Sequence, residues 1–424
     1  MPEYVNTIVK MGKVDQSPSY GAVIPLNDGR LMWIYTSGRA NPALPVRANF
    51  SSDGGATWSA PVHLKLTTGE PFVAVLDTNL FRLKSGGIGL VLRGSAKAGA
   101  YEADYQASII FSASQDEGAT WSPPVTINPP GTNAVITNEK SIVHSSGRII
   151  VPYYIGIGAK PYGEVRAVQR YGASFSNPER ATLYYCSAFL SDDEGATWRR
   201  SNNEAFVNLE HGAGGSYSMG EPAVVELKGG KVLMLARTNV GRFFQSVSDD
   251  AGETWMQPEP TQLACYPSPA TIKRITTTGD LVVIWNQISQ WETMNGLYRH
   301  RLSTAVSKDE GKTWQHHRNL ESMDDVSYIE PGPIQIDLVG KFKQPADLKR
   351  YHRSPGPLRF NQPSCVFVGD KAVITYGMCV FGDKAEIPER FGLSYEALME
   401  KLGLAPYDRG NKVRVVSSSW FYGE

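Results

Sequence analysis

The chain has 424 residues, of which 41% are hydrophobic and 20% are charged, as in an ordinary globular protein. Its 42 basic residues balance its 42 acidic residues, which argues against a general attraction to nucleic acid or to an anionic membrane. The chain also lacks a run of about 18 apolar residues, which excludes a membrane-spanning helix.

The four cysteines are scattered and form no CxxC motif or histidine-spaced cluster. We therefore predict neither a cofactor nor a metal site. The first residues, MPEYVNTIVKMGKVDQ, have no apolar core of signal-peptide length. We expect a cytoplasmic protein from the sequence as it stands, or a secreted or periplasmic one if a leader preceded it. The oligomeric state stays open.

Six segments share the pattern of a strand, a tight polar turn and an apolar strand. Large apolar or β-branched residues around a Gly or Asp turn are typical of a β-hairpin. In chain order the segments are VIPLNDGRLMWIY from Val23, LFRLKSGGIGLVL from Leu80, SIVHSSGRIIVPYY from Ser141, VVELKGGKVLMLAR from Val224, IKRITTTGDLVVIW from Ile272 and VFVGDKAVITYG from Val366.

An eight-residue signature, Ser-x-Asp-x-Gly-x-Thr-Trp, follows each of the first five hairpins. Its aspartates are Asp53, Asp116, Asp193, Asp250 and Asp309. A short aspartate side chain bonds backbone N–H groups of its own turn, and the glycine accepts a φ that other residues resist. The large tryptophan can plug the turn against the neighbouring unit. We interpret these residues as building the fold and not as an active site.

A hairpin followed by a signature defines a repeated unit of four strands, with the signature between the third and fourth. Six such sheets arranged radially make an all-β, six-bladed β-propeller. We predict one domain over 1–424, in which the first segment and the last, VRVVSSSWFY, are both strands of one shared blade. Insertions are expected near 157–181 and 324–360, and a short helix, capped by Ser394, near 394–404.

In a propeller, the starts of the first strands and the ends of the second strands meet at one face around the axis. Arginines, carboxylates, tyrosines and amides that converge there suit an anionic, hydroxyl-rich ligand. The first-strand positions include Tyr20, Asp77, Asn138, Glu139, Glu221 and Gln362. The second-strand positions include Arg39, Arg93, Tyr154, Arg237 and Asn286.

The signature resembles the Asp-box (BNR) repeat of the sialidase, or neuraminidase, superfamily, and MGEPAVVELKGGKVLMLART resembles that family's fourth-repeat motif. The resemblance implies that Glu221 activates a nucleophile and that Arg237 grips a substrate carboxylate. By the same resemblance, Arg299 or Arg301 in RHRLSTAVSKDEGKTW, together with Arg39 in YTSGR, contributes further arginines.

Three family positions differ in this chain. PSYGAVIP has no arginine before the first hairpin, ANPALPVRANF has no carboxylate after it, and FNQPSCVF has no tyrosine before the sixth hairpin. Tyr328, in SYIEPGP, is a candidate for the tyrosine role if its loop folds inward. His211 lies in the glycine-rich HGAGGSYS loop that leads to Glu221, where a close approach to a ligand is feasible.

The predicted site therefore has two sets of residues. The catalytic candidates are Glu221, Asp77, Glu139, Tyr328 and His211. The substrate-binding candidates are Arg237, Arg301, Arg299, Arg39, Tyr20, Asn138 and Gln362.

Three functions fit these residues. The first is an exo-acting glycoside hydrolase of sialidase-like fold, acting on a terminal acidic or uncommon sugar of a glycan or polysaccharide. The second is a polysaccharide lyase acting on a uronate, and the third is a carbohydrate-binding propeller without catalysis. In each case the expected partner is a carbohydrate, acidic in character.

Overall fold

The computed structural model describes residues 5–9, 21–35, 46–71, 76–94, 108–129, 132, 134–158, 182–209, 215–238, 240–265, 268–289, 292, 297, 299–332, 334, 356–380, 387–404 and 409–423. The predicted candidates Tyr20, Arg39 and His211 lie outside these residues, as do most positions of the two predicted insertions. None of the described helices has the length and apolar character that a membrane crossing requires.

Six four-stranded antiparallel sheets form the blades of a propeller, as predicted. The first strand, β1 (Val5–Val9), belongs to the last blade. Blade 1 consists of β2 (Gly21–Pro25), β3 (Leu31–Tyr35), β4 (Arg47–Ser51) and β5 (Val62–His63). Blade 2 consists of β6 (Leu76–Arg82), β7 (Ile88–Gly94), β8 (Ser108–Ser114) and β9 (Val125–Thr126). Blade 3 consists of β10 (Ile142–Val143), β11 (Ile149–Gly158), β12 (Thr182–Ser191) and β13 (Arg199–Arg200).

A two-stranded sheet of β14 (Val207–Leu209) and β15 (Gly215–Tyr217) leads into the second half of the ring. Blade 4 consists of β16 (Met219–Glu226), β17 (Val232–Thr238), β18 (Arg242–Ser248) and β19 (Glu259–Ala264). Blade 5 consists of β20 (Thr271–Arg274), β21 (Leu281–Trp285), β22 (Arg301–Ser307) and β23 (Gln315–Ser322).

Blade 6 closes the ring by joining the two ends of the chain. It contains β24 (Leu358–Val368), β25 (Lys371–Val380) and β26 (Arg409–Ser417), with β1 on its outer edge. Val5 pairs with Val415 in an antiparallel register, so the predicted shared blade is confirmed. Two short helices, α1 (Ile387–Phe391) and α2 (Tyr395–Lys401), precede β26, and the Ser394 side chain caps α2 by accepting from the Ala397 N–H.

The C-terminal segment differs from the prediction of a continuous strand. The strand ends at Ser417, and a 3₁₀ helix follows over Ser418–Tyr422. The Ser417 side chain accepts a hydrogen bond from the Trp420 N–H at 3.2 Å. A serine at this position offers the backbone an alternative to the sheet ladder, which favours a helical turn.

The five signature turns have the structural role that the sequence predicts. Asp53 accepts hydrogen bonds from the Ser51 hydroxyl at 2.8 Å and from the Thr57 N–H at 2.9 Å, and the other four aspartates have the same pair of contacts. Burial raises the pKa of Asp53, but hydrogen bonds from Thr57 and Ser51 outweigh it and hold that pKa below its usual value. Each turn lies between the third and fourth strands of its blade.

Six hydrophobic clusters of described residues fill the spaces between neighbouring blades, one for each space. The signature tryptophans belong to these clusters or pack against them. Trp121 of blade 2 is fully buried in the cluster shared with blade 1, and Trp58 of blade 1 packs against the cluster shared with blade 6. Removal of this apolar surface from water holds the ring together.

Candidate active site

The first strands of the six blades surround the propeller axis, and each contacts the first strand of the next blade. In four blades, a residue with a left-handed φ lies shortly before the first strand or within its first five residues. These residues are Asp77 (φ 51°), Glu139 (φ 54°), Glu221 (φ 48°) and Gln362 (φ 48°). Non-glycine residues adopt this φ at a cost of about 1 kcal/mol or more, and such strain is concentrated at functional sites.

Glu221 and Arg237 form a nearly buried ion pair at this face. The Nη1 of Arg237 lies 2.8 Å from Oε2 of Glu221, and their side chains are only 11% and 10% exposed. The pair forms because Gly220 is opposite Arg237 in the register, and a β-bulge over the next residues turns Glu221. The structure therefore brings together the two residues that the family resemblance singles out.

Asp77 and Arg93 form a second pair of the same kind in blade 2. The Nη2 of Arg93 is 3.1 Å from Oδ2 of Asp77. Leu76 is opposite Arg93 in the register, and a bulge between Leu76 and Thr78 turns Asp77. Asn138 of the next blade donates from Nδ2 to Oδ1 of Asp77 at 3.4 Å and accepts from the Thr78 N–H at 2.8 Å. The predicted residues Asp77 and Asn138 thus lie together.

Glu139 braces the ring across the axis. Its Oε1 is 2.6 Å from Nζ of Lys273 in blade 5, and its Oε2 accepts from the Cys365 N–H of blade 6 at 2.9 Å. Both carboxylate oxygens are therefore occupied by groups of other blades. This arrangement suits a structural role better than the proton-donor role that the sequence suggested.

Lys140, next in the chain, is almost fully buried beside this brace. Its Nζ donates to the Thr271 hydroxyl and, at 3.1 Å, to the Pro363 carbonyl. Burial lowers the pKa of Lys140 from 10.5 to about 7, although Glu139 and Glu221 raise it. Blades 3, 5 and 6 are thus joined by one ammonium group near the axis.

Arg299 and Gln362 lie where blades 5 and 6 meet. Arg299 has a left-handed φ of 51°, and its Nη1 donates to Oδ1 of Asn361 at 2.8 Å. Asn361 directly precedes Gln362, whose side-chain carbonyl is a buried atom without a hydrogen-bond partner among the described residues. The structure therefore brings Arg299 to the first strand of blade 6.

Arg301, the alternative to Arg299, belongs to a separate ion-pair cluster. It donates from Nε to Oδ1 of Asp324 at 2.7 Å and from Nη2 to Oε1 of Glu292 at 2.6 Å. His300, fully buried beside these carboxylates, has its pKa lowered to about 4 by burial.

The same cluster is a geometric candidate for a metal. Ligand atoms of Glu292, His300 and Asp324 lie within 4.8 Å of one another. However, the Arg301 guanidinium already bridges the two carboxylates, so a metal ion would have to displace it. The cluster therefore fits an internal ion pair better than a metal centre.

Tyr328 lies beside blade 5. Its segment is anchored by hydrogen bonds from the Ile329 N–H to Oε1 of Gln287 at 2.9 Å and from Nη2 of Arg242 to the Pro331 carbonyl at 3.3 Å. Gln287 follows the second strand of blade 5, and the Tyr328 ring lies 4.5 Å from the ring of His317 in β23, the outer strand of that blade. Tyr328 is 43% exposed and donates its hydroxyl to Glu330, whose hydrogen bond raises the pKa of Tyr328.

The sequence analysis did not predict that Asp77 pairs with Arg93, or that Lys273 pairs with Glu139. The spacing of Asp77 and Arg93 equals that of Glu221 and Arg237, and both arginines end an apolar second strand. The spacing shared with Glu221 and Arg237 could have predicted the Asp77–Arg93 pair. The Lys273 contact joins blades 3 and 5, and no local pattern indicates it.

A profile described as "BNR repeat-like domain" matches residues 96–337 of the chain. Among curated proteins, none matches. The chain resembles a Dyadobacter fermentans protein of unknown function, at 14% identity and a TM-score of 0.55, covering 98% of this chain and 100% of that one.

Two sialidases have a similar fold. The Trypanosoma rangeli sialidase, solved with the inhibitor DANA, has 14% identity and a TM-score of 0.52, and the alignment covers 97% of this chain and 55% of that one. NanB sialidase from Streptococcus pneumoniae has 13% identity and a TM-score of 0.53, with coverage of 87% and 67%. The chain thus spans about half the length of the trypanosomal enzyme. At these identities, the likeness shows a shared fold.

Proposed function

This chain belongs to the family of proteins with a BNR repeat-like domain, and from that premise we propose that it is a glycoside hydrolase that acts on a terminal acidic sugar. The observation that carries the proposal is the Glu221–Arg237 ion pair, 2.8 Å across, at the face where the first strands begin. A guanidinium binds carboxylates through two parallel hydrogen bonds, so Arg237 is suited to hold an acidic substituent. The sialidases of similar fold include one solved with sialic acid.

In the proposed mechanism, Glu221 polarises a water molecule that acts as the nucleophile. Tyr328 is the alternative nucleophile; its exposed hydroxyl donates to the Glu330 carboxylate, so in that case Glu330, and not Glu221, is the activating group. A carboxylate that accepts the hydroxyl proton is the arrangement that activates an oxygen nucleophile.

Asp77 is the proposed proton donor. It lies at the start of the first strand of blade 2 and its side chain is 13% exposed. Glu139, the other candidate, is held more closely, at 2.6 Å by Lys273 and 2.9 Å by the Cys365 N–H, whereas the contacts of Asp77 with Arg93 and Asn138 are 3.1 Å and 3.4 Å long. A pair of carboxyl groups on either side of the scissile bond is the usual requirement of glycoside hydrolysis.

The test compares wild type with Glu221→Gln on aryl glycosides and on acidic glycans, with release of reducing sugar as the readout. Glu259→Gln is the matched control, because Glu259 is exposed on the outer strand of the same blade. We expect release by wild type and by the control, and a loss of about 100-fold or more in Glu221→Gln, since acid–base and nucleophile-activating groups contribute 10²–10⁴-fold. Melting temperatures of all three proteins establish that each is folded.

Other outcomes would replace the proposal. New absorbance of an unsaturated uronate without sugar hydrolysis would indicate a lyase. Binding of an acidic sugar by a wild type that never releases product would indicate a carbohydrate-binding propeller. Gln362 favours this last alternative, because an amide stands where the sialidase pattern has a nucleophilic tyrosine.

A further inference from the structure

Two buried asparagines join blade 2 to the segment that leads into blade 3. Asn79 of β6 accepts at Oδ1 from the Lys140 N–H at 2.6 Å and from the Ser141 N–H at 3.0 Å. Asn138 reaches in the opposite direction and accepts at Oδ1 from the Thr78 N–H at 2.8 Å. Each asparagine therefore holds the backbone of the segment that carries the other.

The orientation of the Asn138 amide follows from its contact with Thr78. A backbone N–H can only donate, so the amide oxygen faces Thr78 and the NH₂ group faces the other way. That NH₂ group donates to Oδ1 of Asp77 at 3.4 Å. The other carboxylate oxygen, Oδ2, lies 3.1 Å from Nη2 of Arg93. Each oxygen of the Asp77 carboxylate thus has a donor, and the two donors come from different blades.

Asn138 also helps to fix the backbone at Asp77. Asp77 has a left-handed φ of 51°, and a β-bulge between Leu76 and Thr78 takes it out of the ladder. Thr78 is bonded on both sides, because its N–H donates to Asn138 and its carbonyl accepts from the Glu139 N–H at 2.9 Å. A strained residue keeps its conformation only where the surrounding contacts determine it. The contact with Asn138 is therefore part of what holds Asp77 in place.

We propose that Asn138 is a positioning residue that holds the Asp77 carboxyl group in the orientation in which it gives its proton to the glycosidic oxygen. This inference rests on the proposed function. In that step the bond from the glycosidic oxygen to the anomeric carbon breaks, and the attacking water forms the new bond and gives its proton to Glu221. Asn138 is only 1% exposed, so it acts through Asp77 and does not contact the sugar. A donor whose neighbours already hold it in place needs little reorganisation in the transition state.

The charges around Asp77 stay in place when Asn138 is replaced. The titratable groups on the surrounding elements are Arg93 on β7, Glu139 and Lys140 beside Asn138, and Tyr154 on β11. Arg93 stays charged over the whole pH range, and burial raises the pKa of Tyr154, which stays neutral. The contacts of Glu139 and Lys140 lie with blades 5 and 6. The effect of Asn138 on Asp77 can therefore be measured by substitution.

The first measurement is a pH titration of the Asp77 carboxyl carbon by NMR in protein labelled at aspartate, with Asp77→Asn used to identify the signal. The variants are Asn138→Asp, Asn138→Leu and the matched control Asn128→Asp. Asn128 is a buried asparagine just after the outer strand of the same blade, and its Oδ1 likewise accepts a backbone N–H, from Ile109 at 2.6 Å. Asn138→Asp keeps the acceptor for the Thr78 N–H, so it decides the question if Asn138→Leu does not fold.

In Asn138→Asp, a second carboxylate takes the place of the NH₂ group that faces Asp77. Two carboxylates this close repel each other, so the pair should titrate with an apparent pKa about one unit or more above that of Asp77 in wild type. Asn138→Leu should also raise the pKa of Asp77, because the charged form loses a donor. Asn128→Asp should leave that pKa unchanged. The inference is overturned if Asp77 titrates in Asn138→Asp as it does in wild type, or if the control shifts it as much.

The second measurement is hydrolysis of the substrate that wild type cleaves in the Glu221→Gln comparison. Asn138→Leu should lower kcat about tenfold or more with KM little changed, because a misplaced proton donor slows the chemical step. In Asn138→Asp, the basic limb of the pH profile should move to higher pH, because Asp77 keeps its proton longer. A raised KM at unchanged kcat would assign Asn138 to substrate binding and overturn the inference.

Because the titration needs no substrate, failure of this inference can be distinguished from failure of the proposed hydrolase. A shifted Asp77 titration in a protein that hydrolyses no glycoside supports the hold of Asn138 on Asp77 and rejects the hydrolase. Hydrolysis that depends on Glu221, with an Asp77 titration that Asn138→Asp leaves unchanged, supports the hydrolase and overturns the inference.

Discussion

Because Lys140 is buried, we expect the stability of this protein to rise with pH. Its pKa is about 7 in the fold, against 10.5 for an ordinary lysine. The unfolded chain therefore binds a proton between these two values that the folded chain does not, so stability rises with pH in that window. One pKa unit corresponds to about 1.4 kcal/mol, so the charged form costs the fold up to about 5 kcal/mol below pH 7.

Between about pH 6 and pH 9, the difference in Lys140 protonation between the folded and unfolded chains raises the free energy of unfolding by about 2–3 kcal/mol. Unfolding entropy is about 2.1 cal/mol/K per residue, which for 424 residues converts the change to a rise of about 3 °C in melting temperature. Lys140→Met lacks the titrating group and should lose this rise, even though it also loses the contacts with Thr271 and Pro363. Its absolute stability at one pH is therefore less informative than its pH dependence.

The assay is thermal unfolding by fluorescence at both pH values for wild type, Lys140→Met and Lys312→Met. Lys312 is exposed in the fifth signature turn, so its removal should leave the wild-type pH dependence intact. Parallel pH curves for wild type and Lys140→Met would refute the reasoning, because other titrating groups would then account for the dependence.

Two further predictions concern the turns. Asp250→Ala removes hydrogen bonds from Ser248 and Thr254, so it should lower the free energy of unfolding by about 2–3 kcal/mol, measured by thermal unfolding. Sugar binding should not change, and altered binding would contradict the purely structural role. Gly195→Ala should lower the free energy of unfolding by about 2–4 kcal/mol, because its φ is 95° and a methyl group would overlap the Phe111 ring of blade 2. Gly229→Ala, with φ 85° and open space around it, should lower the free energy of unfolding by about 1 kcal/mol. Equal costs for the two glycines would show that the ring contact is unimportant.

The repeated turns made the fold predictable from the sequence. The signature specifies a turn by contacts within eight residues, such as Ser51 and Thr57 on Asp53, and this local chemistry is independent of the rest of the ring. The hairpins have similarly local registers. The C-terminal helix was missed because a serine that can cap a turn and a serine on a strand edge look alike in sequence.

The candidate site was predictable only where it repeats. Positions at strand starts and ends follow from the hairpin pattern, which predicts that Glu221 and Arg237 lie at one face, where the structure has them as an ion pair. The bracing role of Glu139 depends on Cys365 and Lys273, which are far away in the sequence and approach only when the ring closes. For Arg301, the partner carboxylates Glu292 and Asp324 lie in irregular segments whose course no periodic pattern specifies.

The three acidic first-strand positions illustrate how one repeated geometry serves different purposes. Each has the same left-handed φ, so the backbone offers the same local conformation to Asp77, Glu139 and Glu221. What differs is the sixth residue of the second strand. Where it is arginine, in blades 2 and 4, the carboxylate is paired within its own blade and stays at the open face. In blade 3 that position is Tyr154, which supplies no cation, and the carboxylate instead reaches across the axis to Lys273. The carboxylate of the blade that lacks its own arginine thus joins blades 3, 5 and 6, and the two neighbouring blades retain their own ion pairs.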